Sequence, residues 1–266
     1  MNQPPLNDLL QVAIDAAYAA GRRTLAYFNT RLDVELKADN TPVTCADREA
    51  EEMIRKTILR HFPSHSILGE EGGIHTGDPG YKWIIDPIDG TKSFISGVPL
   101  YGVMIGVELN GRPMVGAVYM PAMDEMVAAA TGQGCTWNGR EAHVSTTNDL
   151  KQAVISSTSI MTAQSRSDAF STIASKAKVV RGWGDCYGHC LVATGRIDIM
   201  LDPRMNPWDC APLIPILQEA GGHYTTWKGE PTIYGPDGVS TNAALHREVL
   251  SILATEKLTP GWKAKP

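Results

Sequence analysis

The sequence predicts a mixed α/β fold in which an α+β half, residues 1–148, precedes an α/β half, residues 149–266. Apolar runs separated by Asn-Gly turns occupy much of the first half, a pattern typical of antiparallel hairpins. Beyond residue 148, short apolar strands alternate with helical segments, a pattern typical of an α/β unit. A chain of 266 residues can bury a large hydrophobic core, as one domain or as two.

Two amphipathic helices open the first half. Asn7 and Asp8 are predicted to cap the first helix, which ends near Phe28. Alternating polar and apolar residues at 33–37 predict a short strand. The second helix begins at Thr44-Cys45-Ala46-Asp47, which resembles a capping box, and it stops before Pro63 because proline disfavours helical backbone at the preceding residue.

Strands fill the rest of the first half. Residues 66–68 predict a short strand leading to Gly69-Glu70-Glu71, and a mobile, polar loop follows as far as Gly80. The apolar run 83–85 predicts a buried strand that ends at Asp86-Pro87. An antiparallel sheet is predicted from residues 101–109, 114–120 and 126–130, with turns at Asn110-Gly111 and Asn138-Gly139.

The second half alternates strands and helices. Its predicted strands are 154–155, 179–180 and 197–201, and its predicted helices are 166–177, 185–194, 208–220 and 243–254. Gly195 and Gly221 are predicted to end two of these helices, since glycine adopts the left-handed conformation common after a helix C-terminus.

Composition excludes several classes of protein. The formal net charge is -5 and the basic residues are scattered, which argues against a nucleic-acid surface. No apolar run approaches the roughly 18 residues of a membrane span, and the N-terminus lacks a signal-peptide pattern, so we expect a cytoplasmic protein. Five scattered cysteines predict free thiols in a reduced protein rather than a disulfide framework.

Four acidic residues stand at predicted strand ends or helix starts: Glu70, Asp86, Asp89 and Asp209. Each has a simpler interpretation by itself, as a turn residue, a solvated charge or a first-turn helix acid. Together they favour a cation site, because neighbouring buried carboxylates are costly without a positive partner. Oxygen ligands without His or Cys are typical of Mg²⁺. Backbone N–H groups at Gly90-Thr91 would add a phosphate-binding site. A metal site beside a phosphate-binding site predicts phosphoryl chemistry.

These motifs also resemble a known family. Asp86-Pro87-Ile88-Asp89-Gly90-Thr91 and Trp208-Asp209-Cys210-Ala211-Pro212 resemble the paired signatures of the inositol monophosphatase family. Gly69-Glu70-Glu71 and Thr41-Pro42-Val43-Thr44-Cys45-Ala46-Asp47 resemble its two preceding motifs, in the same order. The resemblance implies a layered αβαβα sandwich and lithium-sensitive, Mg²⁺-dependent hydrolysis of phosphate monoesters. It also implies a homodimer.

The resemblance carries a ligand set for two or three Mg²⁺ ions. Glu70, Asp86 and the Ile88 carbonyl would hold one ion. A second would be held by Asp86, Asp89 and Asp209. Glu70 would also help to hold a weaker third ion.

The same resemblance implies the catalytic roles. Asp47 and Thr91 would orient and deprotonate the attacking water, and a hydroxyl linked to a carboxylate is a plausible base relay. With Glu70 they form the predicted catalytic set. The amides of Gly90 and Thr91 would hold the phosphate. Attack by a metal-activated water would be direct and in line, without a covalent phosphoenzyme.

Three further segments resemble the histidinol-phosphate phosphatase branch of this family: Phe94-Ile95-Ser96-Gly97-Val98-Pro99-Leu100-Tyr101-Gly102, Gly184-Asp185-Cys186-Tyr187-Gly188-His189 and Leu201-Asp202-Pro203-Arg204-Met205-Asn206-Pro207-Trp208-Asp209. Acids at both Asp185 and Asp202 would make a negative pocket beside the phosphate. Histidinol phosphate suits that pocket because it carries an ammonium and an imidazole of pKa ~6.5. Asp185 could instead be a helix cap. Arg204 could reach the phosphate or another subunit's site, or be a surface charge.

The sequence therefore predicts a histidinol-phosphate phosphatase of histidine biosynthesis, which converts L-histidinol phosphate and water to L-histidinol and phosphate. Its partner would be a small phosphorylated metabolite. An inositol monophosphatase-like enzyme of broad specificity is the first alternative. A regulatory binding protein that kept the fold is the second, although the full set of acids argues against it. His189 is predicted to be packed or solvent-facing rather than catalytic, since metal ions already supply the activation.

Overall fold

The computed structural model describes residues 4–31, 33–37 and 41–263. These residues form a five-layer αβαβα sandwich, which confirms the predicted fold class. A pair of helices covers a large sheet, a middle layer of helices separates it from a smaller sheet, and a third helical layer covers the far side. Among the described residues, no helix is both long enough and apolar enough to cross a bilayer.

The first outer layer contains helices α1 (Leu6–Thr24) and α2 (Cys45–His61). The predicted cap of α1 at Asn7 and Asp8 is wrong. Pro5 takes the cap position, and its carbonyl accepts the amides of Asp8 and Leu9, so the helix starts without a side-chain cap. The predicted capping box of α2 is confirmed: the Thr44 hydroxyl accepts the Ala46 amide at 3.1 Å, and Asp47 accepts the Thr44 amide at 2.8 Å.

The described part of the first half contains ten strands and one further α-helix. They are β1 (Glu35–Leu36), β2 (Pro42–Val43), β3 (His65–Gly69), β4 (Gly73–His75), β5 (Asp78–Asp89), α3 (Thr91–Ile95), β6 (Gly102–Leu109), β7 (Arg112–Met120), β8 (Glu125–Ala130), β9 (Cys135–Trp137) and β10 (Arg140–Glu141). β1 and β2 pair with each other, and the remaining strands form an eight-stranded sheet in the order β10-β9-β8-β7-β6-β5-β3-β4.

Two hairpin turns in this sheet are confirmed. Asn110-Gly111 has φ angles of 50° and 77°, and Asn138-Gly139 has 48° and 74°, as a type I′ turn requires. The mobile loop predicted after Glu71 is wrong over much of its length. Gly73 turns the chain with φ 62°, and β4 then pairs antiparallel with β3, so its backbone groups are hydrogen-bonded within the sheet. β5 runs parallel to β3, so both strands end on the same side.

The second half contains five strands and six helices within the described residues. They are β11 (Val154–Ser156), α4 (Ile160–Arg166), α5 (Asp168–Lys176), β12 (Val179–Arg181), α6 (Asp185–Ala193), β13 (Ile199–Asp202), α7 (Pro207–Cys210), α8 (Leu213–Glu219), β14 (Gly222–Thr225), β15 (Gly238–Asn242) and α9 (His246–Leu253). The strands form one sheet in the order β12-β11-β13-β15-β14. β14 and β15 were not predicted, because each mixes glycine and polar residues and lacks an apolar run.

Two predicted helices differ from the observed ones. The helix predicted at 166–177 is α5, which begins only at Asp168 because Ser167 is extended with φ -169° and caps α5 with its hydroxyl, and α4, which ends at Arg166, was not predicted. The helix predicted at 208–220 is interrupted at Pro212, which has no N–H to donate to the preceding turn. Gly195 and Gly221 follow helices with φ 70° and 82°, as predicted.

The middle layer joins the two halves. α6 and α8 bury Cys190, Leu213 and Leu217 in one apolar cluster with Met104 of the large sheet and Tyr224 of the small one. α7 contacts both β5 and β6, and the amide of Cys186 in α6 donates to Asp89, so the starts of both helices lie at the end of β5. The division of the chain near residue 148 stays a prediction.

Candidate active site

Strand β5 ends at the site. Trp83, Ile84 and Ile85 are completely buried and anchor the strand in the sheet, and the next residue, Asp86, is only 2 % exposed. The Asp86 Oδ1 atom accepts the amide of Ile88 at 3.0 Å, at the irregularity in the pairing of β5 with β6 between Asp86 and Asp89. Burial by its apolar neighbours thus places a carboxylate where it has little contact with water.

Three carboxylates converge here from two parts of the chain. One oxygen of each of Asp86, Asp89 and Asp209 lies within 4.8 Å of the others. Asp89 accepts the amide of Cys186 at the start of α6. Asp209 accepts both the amide of Asn206 at 2.8 Å and its side-chain Nδ2 at 3.0 Å, which forms a capping box on α7.

The electrostatics of these carboxylates favours a cation. Burial raises the pKa of Asp86 well above its usual range, and the charges of Glu70, Asp89 and Asp209 raise it further. Burial likewise raises the pKa of Asp89, with Asp185 and Asp209 as the next causes. Oxygen donors at this spacing, without His or Cys, match the ligand preference of Mg²⁺. The residues therefore fit a hard divalent ion.

Glu70 lies beside this cluster, but its carboxylate is hydrogen-bonded to a lysine. The Lys37 ammonium donates to Glu70 Oε1 at 2.8 Å and to Glu71 Oε1 at 2.5 Å. Burial lowers the pKa of Lys37, but the hydrogen bonds and charges of the two glutamates outweigh it and keep the pKa well above its usual range.

The carbonyl of Ile88, a predicted ligand, accepts the Thr91 hydroxyl at 3.0 Å.

Asp47 sits in the capping box of α2. Its Oδ2 atom accepts the Thr44 hydroxyl at 2.7 Å as well as the Thr44 amide at 2.8 Å. Burial raises the pKa of Asp47, and the hydrogen bonds from Thr44 oppose that rise. Because the Thr91 hydroxyl donates to Ile88, the pairing of Asp47 with Thr91 stays a prediction.

A cavity of about 280 Å³ gathers most of the residues predicted to contact metal or phosphate. Seven of them line it: Glu70, Asp86, Ile88, Asp89, Gly90, Thr91 and Asp209. Gly90 has φ 85°, a left-handed conformation that glycine adopts without strain, and it starts α3. Residues far apart in the sequence therefore share one cavity.

A second cavity of about 440 Å³ adjoins the first. The two share Asp89, Lys92, Thr158, Asp185 and Asp209 among their lining residues. The additional lining includes three residues singled out in the sequence: His189, Asp202 and Arg204. The site is thus a small acidic cavity that opens into a larger one.

Asp185 borders both cavities. It is the first residue of α6 and has φ 55°, which is unusual for a residue other than glycine, and Gly184 occupies the cap position. The interpretation of Asp185 as a helix cap is therefore wrong. Its amide donates to the Thr158 hydroxyl at 2.7 Å. Burial, together with the charges of Asp202 and Asp209, raises the pKa of Asp185 to about 7, against the opposing effect of Lys92.

Asp202 lines the larger cavity but is already hydrogen-bonded. It accepts the amide and hydroxyl of Thr158, both at 2.9 Å, and lies 3.3 Å from His189 Nε2. His189 is buried as predicted, and its Nδ1 lies 2.7 Å from the Ser240 hydroxyl.

The Arg204 guanidinium packs 4.7 Å from the ring centroid of Trp262 and donates to the Lys263 carbonyl at 3.4 Å.

Sequence reasoning missed several lining residues. Thr158 and Lys92 border both cavities, yet a threonine after a short strand and one lysine beside a motif provide no sequence signal. Asn206 was detectable, because Asn206 and Asp209 have the spacing of a capping box. The five cysteines are free thiols.

Comparisons with known proteins identify the family whose sequences and fold this chain shares. Residues 6–258 match the model of the inositol monophosphatase family. The chain is 44% identical over 248 residues to a histidinol-phosphatase of Chlorobaculum parvum, covering 92% of this chain and 96% of that protein. A histidinol-phosphatase of Mycobacterium tuberculosis is 37% identical, with 93% and 98% covered. The solved structure of an IMPase from Thermotoga maritima superposes with a TM-score of 0.83 at 30% identity, with 93% and 97% covered.

Proposed function

The chain belongs to the inositol monophosphatase family and is a phosphoric monoester hydrolase, and we propose that it hydrolyses L-histidinol phosphate to L-histidinol and phosphate. The observation that carries this proposal is the larger cavity of about 440 Å³, which adjoins the carboxylate cluster and is lined by Asp185 and Asp202. Relatives named histidinol-phosphatase, at 44% and 37% identity over most of their length, support the same substrate. The enzyme would act in histidine biosynthesis. A cytoplasmic location and a homodimer stay predictions.

Asp86, Asp89 and Asp209 would hold Mg²⁺, with Glu70 and the Ile88 carbonyl completing the ligands for two or three ions. When bound, Mg²⁺ supplies a Lewis acid that polarises the phosphate and lowers the pKa of water. The raised pKa values of Asp86 and Asp89 support this assignment, because burial and the neighbouring negative charges raise them, and a divalent cation offsets both effects.

The remaining chemistry falls to residues around that cluster. The amides of Gly90 and Thr91 would hold the phosphate in the smaller cavity. Asp47 and Thr91 would orient a water molecule and accept its proton. The water oxygen then bonds to phosphorus in line as the bond from phosphorus to the histidinol oxygen breaks. The leaving oxygen takes up a proton from water.

Asp185 provides the preference for a cationic alcohol in this proposal. Its carboxylate faces both cavities, so the ammonium or imidazolium of bound histidinol phosphate would lie beside it. Asp202 adds negative charge to the same cavity, although its oxygens already accept from Thr158. Arg204 would border the far rim. A neutral cyclitol gains much less from such a negative pocket.

One alternative has a specific observation in its favour. The fold superposes on an IMPase from Thermotoga maritima at 30% identity, so broad hydrolysis of inositol phosphates is the second candidate. The two candidates differ in how much they depend on Asp185. The selective enzyme needs its charge, whereas an enzyme for neutral esters does not.

The test is phosphate release by the purified protein with Mg²⁺, comparing histidinol phosphate, inositol 1-phosphate, fructose bisphosphate and adenosine bisphosphate. We expect the highest kcat/KM for histidinol phosphate. Asp185→Asn should lower that value by ~10-fold or more, in line with loss of one charge-assisted contact, and leave the neutral ester nearly unchanged. Asp149→Asn is the matched control, because it makes the same change of residue type at an exposed aspartate that accepts the Lys151 amide and lines neither cavity. A wild-type preference for inositol phosphate would overturn the proposed substrate.

A further inference from the structure

A second buried acid lies one helical turn beyond Asp47. Glu51 of α2 is 2 % exposed, and it is not among the predicted ligands. Its Oε2 atom accepts the Glu71 amide at 2.7 Å, and its Oε1 atom accepts the Gly72 amide at 2.7 Å. Arg55 Nε also donates to Oε1 at 2.7 Å. The carboxylate of Glu51 is thus bonded directly to the loop that follows Glu70.

The loop closes tightly around this carboxylate. A Cβ atom added at Gly69 would lie 2.3 Å from Glu51 Oε1, and one added at Gly72 would lie 2.6 Å from it. Both distances are far below van der Waals contact, so glycine at these positions lets the backbone approach Glu51. The loop Gly69-Glu70-Glu71-Gly72 is therefore built to bind the Glu51 side chain.

The opposite side of the same loop is bound to the strand that carries Asp86. The Glu70 amide donates to the carbonyl of Ile85 at 3.2 Å. Glu70 therefore lies between two anchors: β5 on one side, and Glu51 of α2 on the other. Since Asp47 is also on α2, the contacts of Glu51 fix the position of Glu70 relative to both Asp47 and Asp86.

We propose that Glu51 is a positioning residue that sets the affinity of the acidic cluster for Mg²⁺ by holding the Glu70 loop against α2. This inference rests on one part of the proposed function, namely that the acidic cluster binds Mg²⁺. It does not depend on which ester is hydrolysed. Groups that orient metal ligands contribute ~10–100-fold to metal affinity, because a ligand that must first be ordered binds its ion more weakly.

The experiment compares Mg²⁺ binding by Glu51→Gln and by the wild-type chain, measured by isothermal titration calorimetry without substrate. A glutamine has one acceptor oxygen and turns an NH₂ group toward donors, so it cannot satisfy both loop amides and Arg55. We expect a ~10-fold or larger rise in the dissociation constant. Glu52→Gln is the matched control, because Glu52 is the next residue of α2 and makes an exposed ion pair with Lys56 at 2.6 Å. Its dissociation constant should stay within ~2-fold of wild type.

A second variant keeps the test decisive if Glu51→Gln does not fold. Arg55→Met leaves both loop amides bonded to Glu51 and removes the guanidinium that orients it, so we expect a ~3-fold weaker affinity for Mg²⁺. Wild-type affinity in a folded Glu51→Gln, or in Arg55→Met where Glu51→Gln is unfolded, would overturn the inference and leave Glu51 a packing contact.

Hydrolysis provides an independent readout. Phosphate release by Glu51→Gln should require more Mg²⁺ for half-maximal rate, whereas the KM at saturating Mg²⁺ should change by less than ~2-fold, because the predicted phosphate seat at Gly90 and Thr91 is not altered. A large rise in KM with unchanged Mg²⁺ dependence would contradict the proposed role. If the wild-type chain binds Mg²⁺ but does not hydrolyse histidinol phosphate, the proposed substrate fails while the calorimetric comparison still decides the role of Glu51.

Discussion

Replacing Asp86 by asparagine should stabilise the metal-free protein and abolish its response to Mg²⁺. Asp86 is buried, and its ligand oxygen lies within 4.8 Å of those of Asp89 and Asp209. Asparagine has nearly the same shape and keeps an oxygen for the amide of Ile88, which Asp86 accepts at 3.0 Å. The substitution therefore removes one charge from the cluster and changes little else.

The magnitude follows from this geometry. Two unit charges about 5 Å apart repel by about 3 kcal/mol at an effective dielectric constant of about 20. The raised pKa of Asp86 means that proton uptake already relieves part of this repulsion. We therefore expect Asp86→Asn to stabilise the metal-free protein by about 1–3 kcal/mol at pH 8. That corresponds to a rise in Tm of about 2–5 °C for a chain of this size.

Thermal unfolding of both proteins in EDTA and in excess Mg²⁺ measures the effect. The wild-type Tm should rise when Mg²⁺ is added, since an ion at 100 times its Kd stabilises by ~2.7 kcal/mol, and the variant should not respond. Asp198→Asn is the matched control: Asp198 is also buried, but its oxygens accept from Ser145 and Val154, so its loss should destabilise. Destabilisation of metal-free Asp86→Asn, or a full Mg²⁺ response in it, would refute the assignment of Asp86 as a ligand.

Four further outcomes are expected. Asp209→Asn should abolish Mg²⁺-dependent phosphate release, and near-wild-type release would contradict its role as a ligand. The metal-free wild-type protein should lose stability as pH rises from about 4 toward the raised pKa values of Asp86 and Asp89, because the folded state then holds more protons; calorimetry in EDTA checks the sign. Because burial raises the pKa of Asp185, its charge and with it the preference for a cationic ester over a neutral one should fall at acid pH, and Asp185→Asn should flatten that profile. Lys37→Met should tighten Mg²⁺ binding by ~2–5-fold, since the Lys37 ammonium occupies Glu70 at 2.8 Å; weaker binding by calorimetry would show that the lysine assists the site.

Local patterns predicted much of the fold correctly. The Asn-Gly turns of the large sheet and the capping box of α2 depend on residues close in sequence, and both were found where predicted. Errors occurred where long-range pairing outweighed local preference. β4 was predicted as loop because it is short and its one apolar residue, Ile74, stands between a glycine and a histidine, but pairing with β3 satisfies its backbone. β14 and β15 were missed for the same reason.

The sequence by itself determined the family, the reaction class and the acids that would bind a metal, because those depend on residue type and spacing within short motifs. Only the tertiary structure decided how the motifs meet. It brought Asp209 within 4.8 Å of Asp86 and Asp89 and put Asp185 on the border of two cavities. It also bonded Glu51 to the loop behind Glu70, a contact between α2 and a turn 20 residues away. Such contacts depend on how helices and sheets pack. Packing brings together residues that are far apart in the sequence, and no local sequence pattern indicates which of them will meet.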